Sequence, residues 1–260
     1  LAGLVLRLLL LHLPPQYFYL PDHLNTWVWT RHLYSEGIFG VYGQNRDDYR
    51  FPYGEERIAV VQRPFTGPDG TSYLPGDKVK LPAQKWSFTA INYPPFYVYI
   101  RYVSALLLHH LDPRMEPLTR RARLSLQLPT YLADFFLALG CLFIVGRRQG
   151  ERAGMAAFLL MWFSPAVILT GVLWDQSDAW FLALGVWCGY FLMERKWVTA
   201  GAIGALMVLT KPQGAFMVPP ILFFLATRGT ARPLLKFTAA ALITTVVVTA
   251  PFMLQSGLAW

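Results

Sequence analysis

The sequence is poor in charge. Only 15% of its 260 residues are charged while 55% are hydrophobic, and the mean hydropathy is positive. A water-soluble domain of this length rarely has so few charged residues. The shortage argues against a soluble protein and favours a chain that lies in a membrane.

Cysteine and negative charge are also scarce. The two cysteines, Cys141 and Cys188, each lie within an apolar run, where a small buried side chain is the expected state. They predict neither a disulfide nor a metal site. Basic residues outnumber acidic ones by 23 to 15, but they stand in short clusters between apolar runs. This pattern indicates membrane orientation, so we expect no nucleic-acid partner.

Long apolar runs, by contrast, are abundant. A transmembrane helix needs about 20 largely apolar residues. Seven runs approach that length: 1–13, 122–145, 152–173, 178–193, 197–211, 214–227 and 234–254. An eighth run, 93–111, is rich in tyrosine and interrupted by Arg101, which suits a helix lying in the membrane interface. The predicted fold class is all-α, a polytopic transmembrane helix bundle.

We expect one N-terminal transmembrane catalytic module over residues 1–260, truncated at both ends. The chain begins at Leu1 without an initiator Met, and its first apolar run is shorter than a full span. Trp260 has an interfacial character, and further spans are expected beyond it.

Residues 14–121 form the predicted first external loop, which contains interfacial helices. Turn signals between 67 and 77 favour a small hairpin formed by the segments 57–62 and 78–81. We find no internal repeat.

Basic residues in the short connections predict the orientation. If 93–111 does not span, eight of them share one face: Arg147, Arg148, Arg152, Arg195, Lys196, Arg228, Arg232 and Lys236. The other face has five: Arg114, Arg120, Arg121, Arg123 and Lys211. Because positive charge collects on the cytoplasmic side, the segments 14–121, 174–178 and 211–213 are predicted to face outward together. Chemistry is therefore expected on the external (periplasmic, extracellular or luminal) face.

Asp22 is the first candidate for that chemistry. It follows a proline-rich aromatic segment and precedes a helix-like stretch with Trp27, Trp29 and Leu33 on one face. Two interpretations stay open, a helix N-cap and a general base at the membrane surface.

A second candidate is the short connection Trp174-Asp175-Gln176-Ser177-Asp178, which has more polar groups than a tight turn needs. Asp175 or Asp178 could still be a helix cap. Lys211, at the outer end of a span, either snorkels to the interface or binds an anion.

Basic residues at the start of the run 122–145 form the last group. Arg120, Arg121 and Arg123 call for an anionic partner, either a lipid headgroup or a carrier phosphate. Asp134 lies inside the same run, where an ionisable residue indicates function or helix pairing.

The order of these motifs resembles the GT-C glycosyltransferases. It resembles in particular the asparagine-linked-glycosylation glucosyltransferases and bacterial mannosyltransferase-like relatives, over residues from about 14 to 225. The motifs are Asp22, Asn92-Tyr93-Pro94-Pro95-Phe96, Arg123 with Asp134, Trp174 to Asp178, and Lys211-Pro212-Gln213. Two positions depart from the family pattern: Asn92 stands where the glucosyltransferases often have an acid, and Asp175 replaces the usual Gly or His. These departures bear on the sugar and the acceptor more than on the reaction class.

The resemblance implies an inverting transfer of a hexose from a polyprenyl-phosphate carrier to a glycan, lipid or protein acceptor, without a metal or another cofactor. It implies that Asp22 is the catalytic base. Arg123 and Lys211, helped by Arg121, would hold the leaving phosphate. The remaining predicted substrate-binding residues are Tyr93, Trp174, Asp175, Gln176, Asp178 and Gln213.

Two alternatives accompany this hypothesis. A transporter or lipid flippase would place its site near the bilayer midplane, where Asp134 and the Pro219-Pro220 break lie. A metal-dependent, oligosaccharyltransferase-like enzyme could use Asp22, Asp175 and Asp178 as oxygen ligands.

Overall fold

The structure is a computed structural model of the chain. It describes residues 2–13, 17–38, 51–53, 57–60, 65–66, 72–73, 78–81, 84–86, 91, 93–116, 118–227 and 230–256. The chain divides into two compact units. The first unit combines Leu1–Gln44 with Ile91–Trp260, and the second is Asn45–Ala90.

The first unit is helical, as the apolar runs predict. Its helices are α1 (Ala2–Leu10), α2 (Leu20–Glu36), α3 (Pro95–Leu111), α4 (Arg120–Gln149), α5 (Glu151–Trp162), α6 (Pro165–Ile168), α7 (Asp178–Met193), α8 (Trp197–Val208), α9 (Val218–Ala226) and α10 (Ala231–Ser256). A π-helical turn, Leu169–Leu173, follows α6, and a 3₁₀ turn, Pro212–Met217, precedes α9. Every predicted apolar run thus corresponds to helix.

Fewer helices are long enough to cross a membrane than the seven predicted runs. Within the described residues, Arg120–Gln149 and Ala231–Leu254 meet length and apolarity requirements, and a third span results if the bent pair Glu151–Trp162 and Pro165–Leu173 counts as one. Three further apolar helical segments are shorter: Asp178–Met193, Trp197–Val208 and Pro212–Ala226. The composition supports a polytopic bundle, although several predicted spans are short or broken.

Helix ends follow their local sequence. The Oγ1 of Thr119 accepts a hydrogen bond of 3.1 Å from the amide of Ala122 and thereby caps α4. Gly150 ends α4 with a φ of 90°, a conformation that suits glycine, and α5 starts at the next residue. A Cβ on Gly154 would lie 2.8 Å from the Cα of Gly146, so these glycines allow α4 and α5 to pack at close range.

The break between α6 and α7 is stabilised by α4. The side-chain amide of Gln127 donates a 2.7 Å hydrogen bond to the carbonyl of Val172 in the π-helical turn. The Tyr131 hydroxyl donates to the amide oxygen of Gln127 over 2.6 Å. All three residues are buried. Because a broken helix leaves carbonyls without helical partners, this contact fixes where the chain leaves the π turn.

An ion pair lies inside the helical bundle. The Nε of Arg7 in α1 is 3.0 Å from the Oδ2 of Asp134 in α4. Arg7 also donates to the carbonyls of Gly3 and Trp162, each over 3.1 Å. Asp134 therefore pairs helices, one of the two roles that its sequence position indicated.

The second unit contains short antiparallel strand pairs. Its strands are β1 (Phe51–Tyr53), β2 (Arg57–Val60), β3 (Phe65–Thr66), β4 (Ser72–Tyr73), β5 (Lys78–Leu81) and β6 (Gln84–Trp86). They pair as β1 with β6, β2 with β5 and β3 with β4, and Arg57 stands opposite Leu81. The predicted hairpin is confirmed in β2 and β5, and the chain as a whole has strands in addition to the predicted helices.

Candidate active site

Asp22 lies in the first turn of α2, where Pro21 occupies an early helical position. The N-cap of this helix is Tyr19, and no side chain caps it. The N-cap interpretation of Asp22 is therefore wrong. The carboxylate is half-buried and turns toward the connection between the π turn and α7.

Two side chains of that connection bind the same carboxylate oxygen. The Nε1 of Trp174 donates to Oδ2 of Asp22 over 2.8 Å, and the Nε2 of Gln176 donates a short hydrogen bond to the same atom. Oδ1 of Asp22 makes no hydrogen bond within the described part of the chain. The arrangement fixes the orientation of the carboxylate.

Gln176 links this carboxylate to a cation. Its Oε1 accepts a hydrogen bond of 3.3 Å from the Nζ of Lys211, while its Nε2 donates to Asp22. Lys211 also forms an ion pair with Oδ1 of Asp178. Lys211 is only 7% exposed and its ammonium group has partners within the protein, which favours the anion-binding alternative over the snorkelling one. We call Asp22, Trp174, Gln176, Asp178 and Lys211 the Asp22 cluster.

The caps considered for α7 are absent. Its N-cap is Ser177, which makes no side-chain capping bond, and Asp178 in the first turn binds Lys211. The side chain of Asp175 contacts His23 of α2. The polar groups of this connection therefore serve tertiary contacts and not the helix end.

Aromatic rings border the cluster. Tyr93 stacks on Tyr97 with ring centroids 4.3 Å apart, and its ring lies 5.9 Å from the Nζ of Lys211. The amides of Phe96 and Tyr97 donate to the carbonyl of Leu209, over 2.9 Å and 3.3 Å, which holds the start of α3 beside the end of α8. Burial raises the pKa of the Tyr93 phenol, so it stays protonated and can donate a hydrogen bond at neutral pH.

A small pocket opens over the carboxylate. Its volume is about 30 Å³, and it is lined by Asp22, Asn25, Thr26, Trp29, Tyr93, Tyr97, Asp175, Gln176 and Ser177. Trp29 packs edge-on against Tyr93, with ring centroids 5.7 Å apart. The pocket thus combines aromatic rings with polar side chains next to the Asp22 carboxylate.

A groove begins beside the same cluster. Its volume is about 200 Å³, and it is lined by Asp134, Leu137, Ala166, Val167, Thr170, Gly171, Gln176, Asp178, Ala179 and Leu182. We call it the α4–α7 groove. Its polar residues Gln176 and Asp178 belong to the Asp22 cluster, and most of its remaining lining is apolar.

Three predicted binding residues are not part of the Asp22 cluster. Arg123 donates to the carbonyl of Leu13 over 2.8 Å and lies 4.5 Å from the ring centroid of Phe18. Arg121 is exposed and donates to the carbonyl of Leu111 over 3.1 Å. Gln213 is exposed in the 3₁₀ turn. Among the residues described, none of the three side chains has a hydrogen bond or an ion pair with the Asp22 cluster. Asn92 lies outside the described residues.

His23 is a residue that the sequence did not single out. Its Nδ1 lies 3.1 Å from the Oδ2 of Asp175, and both side chains are buried. The only signal available was its position next to Asp22. Arg7 was also missed, although a charged residue inside a predicted span is a functional or pairing candidate by default.

No group of three His, Cys, Asp or Glu side chains is placed to share a metal ion within the described ranges. Each predicted oxygen ligand has a different protein partner: Trp174 and Gln176 bind Asp22, His23 binds Asp175, and Lys211 binds Asp178.

Among the described residues, a carboxylate held by two side chains lies in one cluster with a lysine, and the cluster adjoins a largely apolar groove. Residues 117–255 match the family of dolichyl-phosphate-mannose-protein mannosyltransferases, a GT-C family. This match covers more than half of the chain, which therefore belongs to that family. No curated protein and no solved structure matches the chain.

Membership confirms the GT-C resemblance and defines the general activity. The chain is a glycosyltransferase and an integral membrane protein. The family implies a polyprenyl-phosphate-linked sugar as donor and a glycan or protein as acceptor. The transporter alternative has no comparable support.

Proposed function

We propose that the protein is an inverting glycosyltransferase that moves a hexose from a polyprenyl-phosphate carrier to an acceptor hydroxyl, with Asp22 as the base. The observation that carries this proposal is the chain of contacts from Asp22 through Gln176 to Lys211. It places a proton acceptor and a cation in one cluster, beside a pocket and an apolar groove.

The base takes the proton of the acceptor hydroxyl. With Oδ2 of Asp22 held by Trp174 and Gln176, Oδ1 is the oxygen that receives this proton. The acceptor oxygen forms its new bond to the anomeric carbon as the bond between that carbon and the phosphate oxygen breaks. The configuration at the anomeric carbon inverts because the two oxygens lie on opposite sides of it.

The departing group is a phosphate monoester, which leaves with the bonding electron pair and needs no proton. A cation that meets the developing charge lowers the barrier. Lys211 is suited to this role because it is largely buried, and Asp178 holds it in place before the donor binds. Arg121 and Arg123 would add positive potential at a distance, since their contacts lie elsewhere.

The sugar would bind at the mouth of the pocket over Asp22, because the pocket itself, at about 30 Å³, is too small to hold a hexose. Tyr93 lines this pocket, and Trp174, which is exposed and binds Asp22, supplies a second aromatic surface. Gln176 and Asp178 are the polar groups that can contact hydroxyls of the sugar or acceptor. Gln213, exposed near Lys211 in sequence, stays a candidate for acceptor contact.

The α4–α7 groove supports a lipid-linked donor. Its lining runs from Gln176 and Asp178 to apolar residues such as Leu137 and Leu182. A polyprenyl tail gains free energy from apolar burial, whereas its phosphate prefers the polar end. The groove thus suits a carrier whose phosphate lies near Lys211.

We assign the site to the external face. Arg147 near the end of α4 pairs with Glu194 at the end of α7 over 3.1 Å, while the Asp22 cluster adjoins the start of α7. Several of the basic residues in the short connections lie near the C-terminal ends of α4 and α7, away from the Asp22 cluster. Positive charge collects on the cytoplasmic side of a membrane, so the cluster is assigned to the opposite side. In protein lacking Cys141 and Cys188, we expect Trp174→Cys and Arg195→Cys to label from opposite compartments, with position 174 external. Labelling of position 174 from the cytoplasm would overturn this orientation.

The reaction is tested with purified full-length enzyme and a panel of polyprenyl-phosphate hexoses that includes mannose. We expect transfer from at least one donor to give a product of inverted anomeric configuration, with and without a chelator. Absence of transfer from the whole panel, under conditions in which the enzyme stays folded, would contradict the proposal. Loss of transfer on chelation would favour the metal-dependent alternative.

A further inference from the structure

A second contact joins α2 to the connection that holds Asp22. Asp22 binds Trp174 and Gln176, and the next residue of α2, His23, binds Asp175 between them. Two consecutive residues of one helix therefore contact three consecutive residues of the turn. Such a paired contact fixes the turn in position and rotation, which the two bonds to Asp22 alone would not do.

Asp175 has an unusual backbone conformation. Its φ is 56°, in the left-handed region that non-glycine residues rarely adopt and that Asp tolerates better than most. The turn is further tied by the Gln176 amide, which donates to the Thr170 carbonyl over 3.1 Å. With this backbone, the side chains on either side of Asp175 reach one oxygen of Asp22.

The burial of the pair argues for a positional role. His23 and Asp175 are 1% and 4% exposed, and Oδ1 of Asp175 has no hydrogen-bond partner within the described part of the chain. A buried carboxylate is costly unless it is well paired. Its Oδ2 is committed to His23, which ties Asp175 to α2 whatever its Oδ1 contacts.

We propose that His23 and Asp175 are positioning residues, which hold the turn so that Trp174 and Gln176 fix the catalytic carboxylate of Asp22. This inference rests on the proposed function. It predicts that loss of the contact between His23 and Asp175 slows the chemical step while donor binding is largely retained, because a displaced turn misaligns the base. A misplacement of about 1 Å can reduce the rate of an enzyme about 100-fold.

Four substitutions separate this role from simple packing. Asp175→Gly keeps the left-handed backbone accessible but removes the carboxylate, whereas Asp175→Asn keeps both the backbone preference and an acceptor oxygen. His23→Asn places an amide nitrogen close to the position of Nδ1, whereas His23→Gln places it near that of Nε2. His110→Ala, at an exposed histidine of α3, is the control.

We expect Asp175→Gly and His23→Gln to lower kcat about 10- to 100-fold, with KM for the donor changed by less than about threefold. Asp175→Asn and His23→Asn should recover most of the loss, and His110→Ala should match the unmodified enzyme. A purely structural role would instead lower the melting temperature and the yield of folded enzyme, with kcat per folded molecule equal in the Asn and Gln variants of His23. That result would overturn the proposal, as would rescue by Asp175→Gly.

The unmodified enzyme separates this inference from the proposed function. If it transfers no sugar from any polyprenyl-phosphate donor, the proposed function fails. If it transfers sugar and the His23 and Asp175 variants show no graded loss of kcat, only the positioning role fails.

Discussion

Two ion pairs in the helical unit have similar chemistry and different surroundings. The side chains of Arg7 and Asp134 are 0% and 1% exposed, and Arg7 also binds two backbone carbonyls. The side chains of Lys211 and Asp178 are 9% and 36% exposed, beside a pocket and a groove. Asp134 also lines the α4–α7 groove, but Arg7 is held by two carbonyls and both side chains are almost fully buried, so we call this the sealed pair. We propose that the exposure of Lys211 and Asp178, more than the presence of charge, distinguishes the proposed binding site from a helix contact in this bundle.

Outside the base itself, the largest effect is expected at Lys211. Lys211→Met removes the cation that we propose meets the leaving phosphate, so kcat should fall about 100- to 1000-fold. Lys211→Arg keeps the charge with a different geometry and should lose less activity. Steady-state transfer kinetics measure the effect, and Lys236→Met, at an exposed lysine of α10, is the matched control. If Lys211→Met were about as active as the control, the ion pair of Lys211 and Asp178 would have no more role in transfer than that of Arg7 and Asp134.

The sealed pair should affect stability. Removing one partner of a buried ion pair costs about 3–5 kcal/mol, so Arg7→Met or Asp134→Leu should lower the free energy of unfolding by that amount. The double substitution should recover most of it, because neither charge is then left alone. Unfolding in detergent tests this, and Arg147→Met, at an arginine with 67% of its side chain exposed, should cost no more than about 1 kcal/mol. Equal losses of unfolding free energy in Arg7→Met and Arg147→Met would contradict the description of Arg7 as part of a sealed pair.

The groove beside the accessible pair should respond to added bulk. Ala166 is exposed and lines the α4–α7 groove, whereas Ala156, also exposed, lies on α5 outside its lining. We expect Ala166→Trp to raise KM for a polyprenyl-phosphate donor about tenfold through loss of about 1.4 kcal/mol of binding. Ala156→Trp should leave KM unchanged. A similar KM for both variants would exclude the groove as the path of the lipid.

The smallest effect is expected at Arg121. This side chain is exposed and binds the carbonyl of Leu111, away from the Asp22 cluster. Arg121→Ala should change kcat and KM by no more than about twofold, in line with the small effects of most surface substitutions. A loss of kcat as large as that of Lys211→Met would return Arg121 to the residues proposed to hold the leaving phosphate.

Much of the arrangement is predictable from the chain. Apolar runs predict the helices, since hydrophobic length is a property of the sequence itself. The distribution of basic residues predicts that the regions of Asp22, Gln176 and Lys211 share one side, and the structure places these side chains in contact. The fold brings these three side chains together, although no local sequence pattern indicates that they contact one another.

Other features depend on partners that no local pattern specifies. Arg7 and Asp134 are 127 residues apart, and the apolar character of both segments conceals their pairing. His23 and Asp175 are separated by 152 residues, and the left-handed backbone of Asp175 depends on the packed turn. The partner of each of these side chains is set by tertiary contacts, because the sequence position of each side chain alone is compatible with several roles.

Asp22→Asn tests the central claim most directly, since it removes the base but keeps the size and shape of the side chain. Single-turnover transfer from a polyprenyl-phosphate hexose should slow about 100- to 10,000-fold, while donor affinity and melting temperature stay close to those of the unmodified enzyme. A single-turnover rate within threefold of the unmodified enzyme would contradict the assignment of Asp22 as the base.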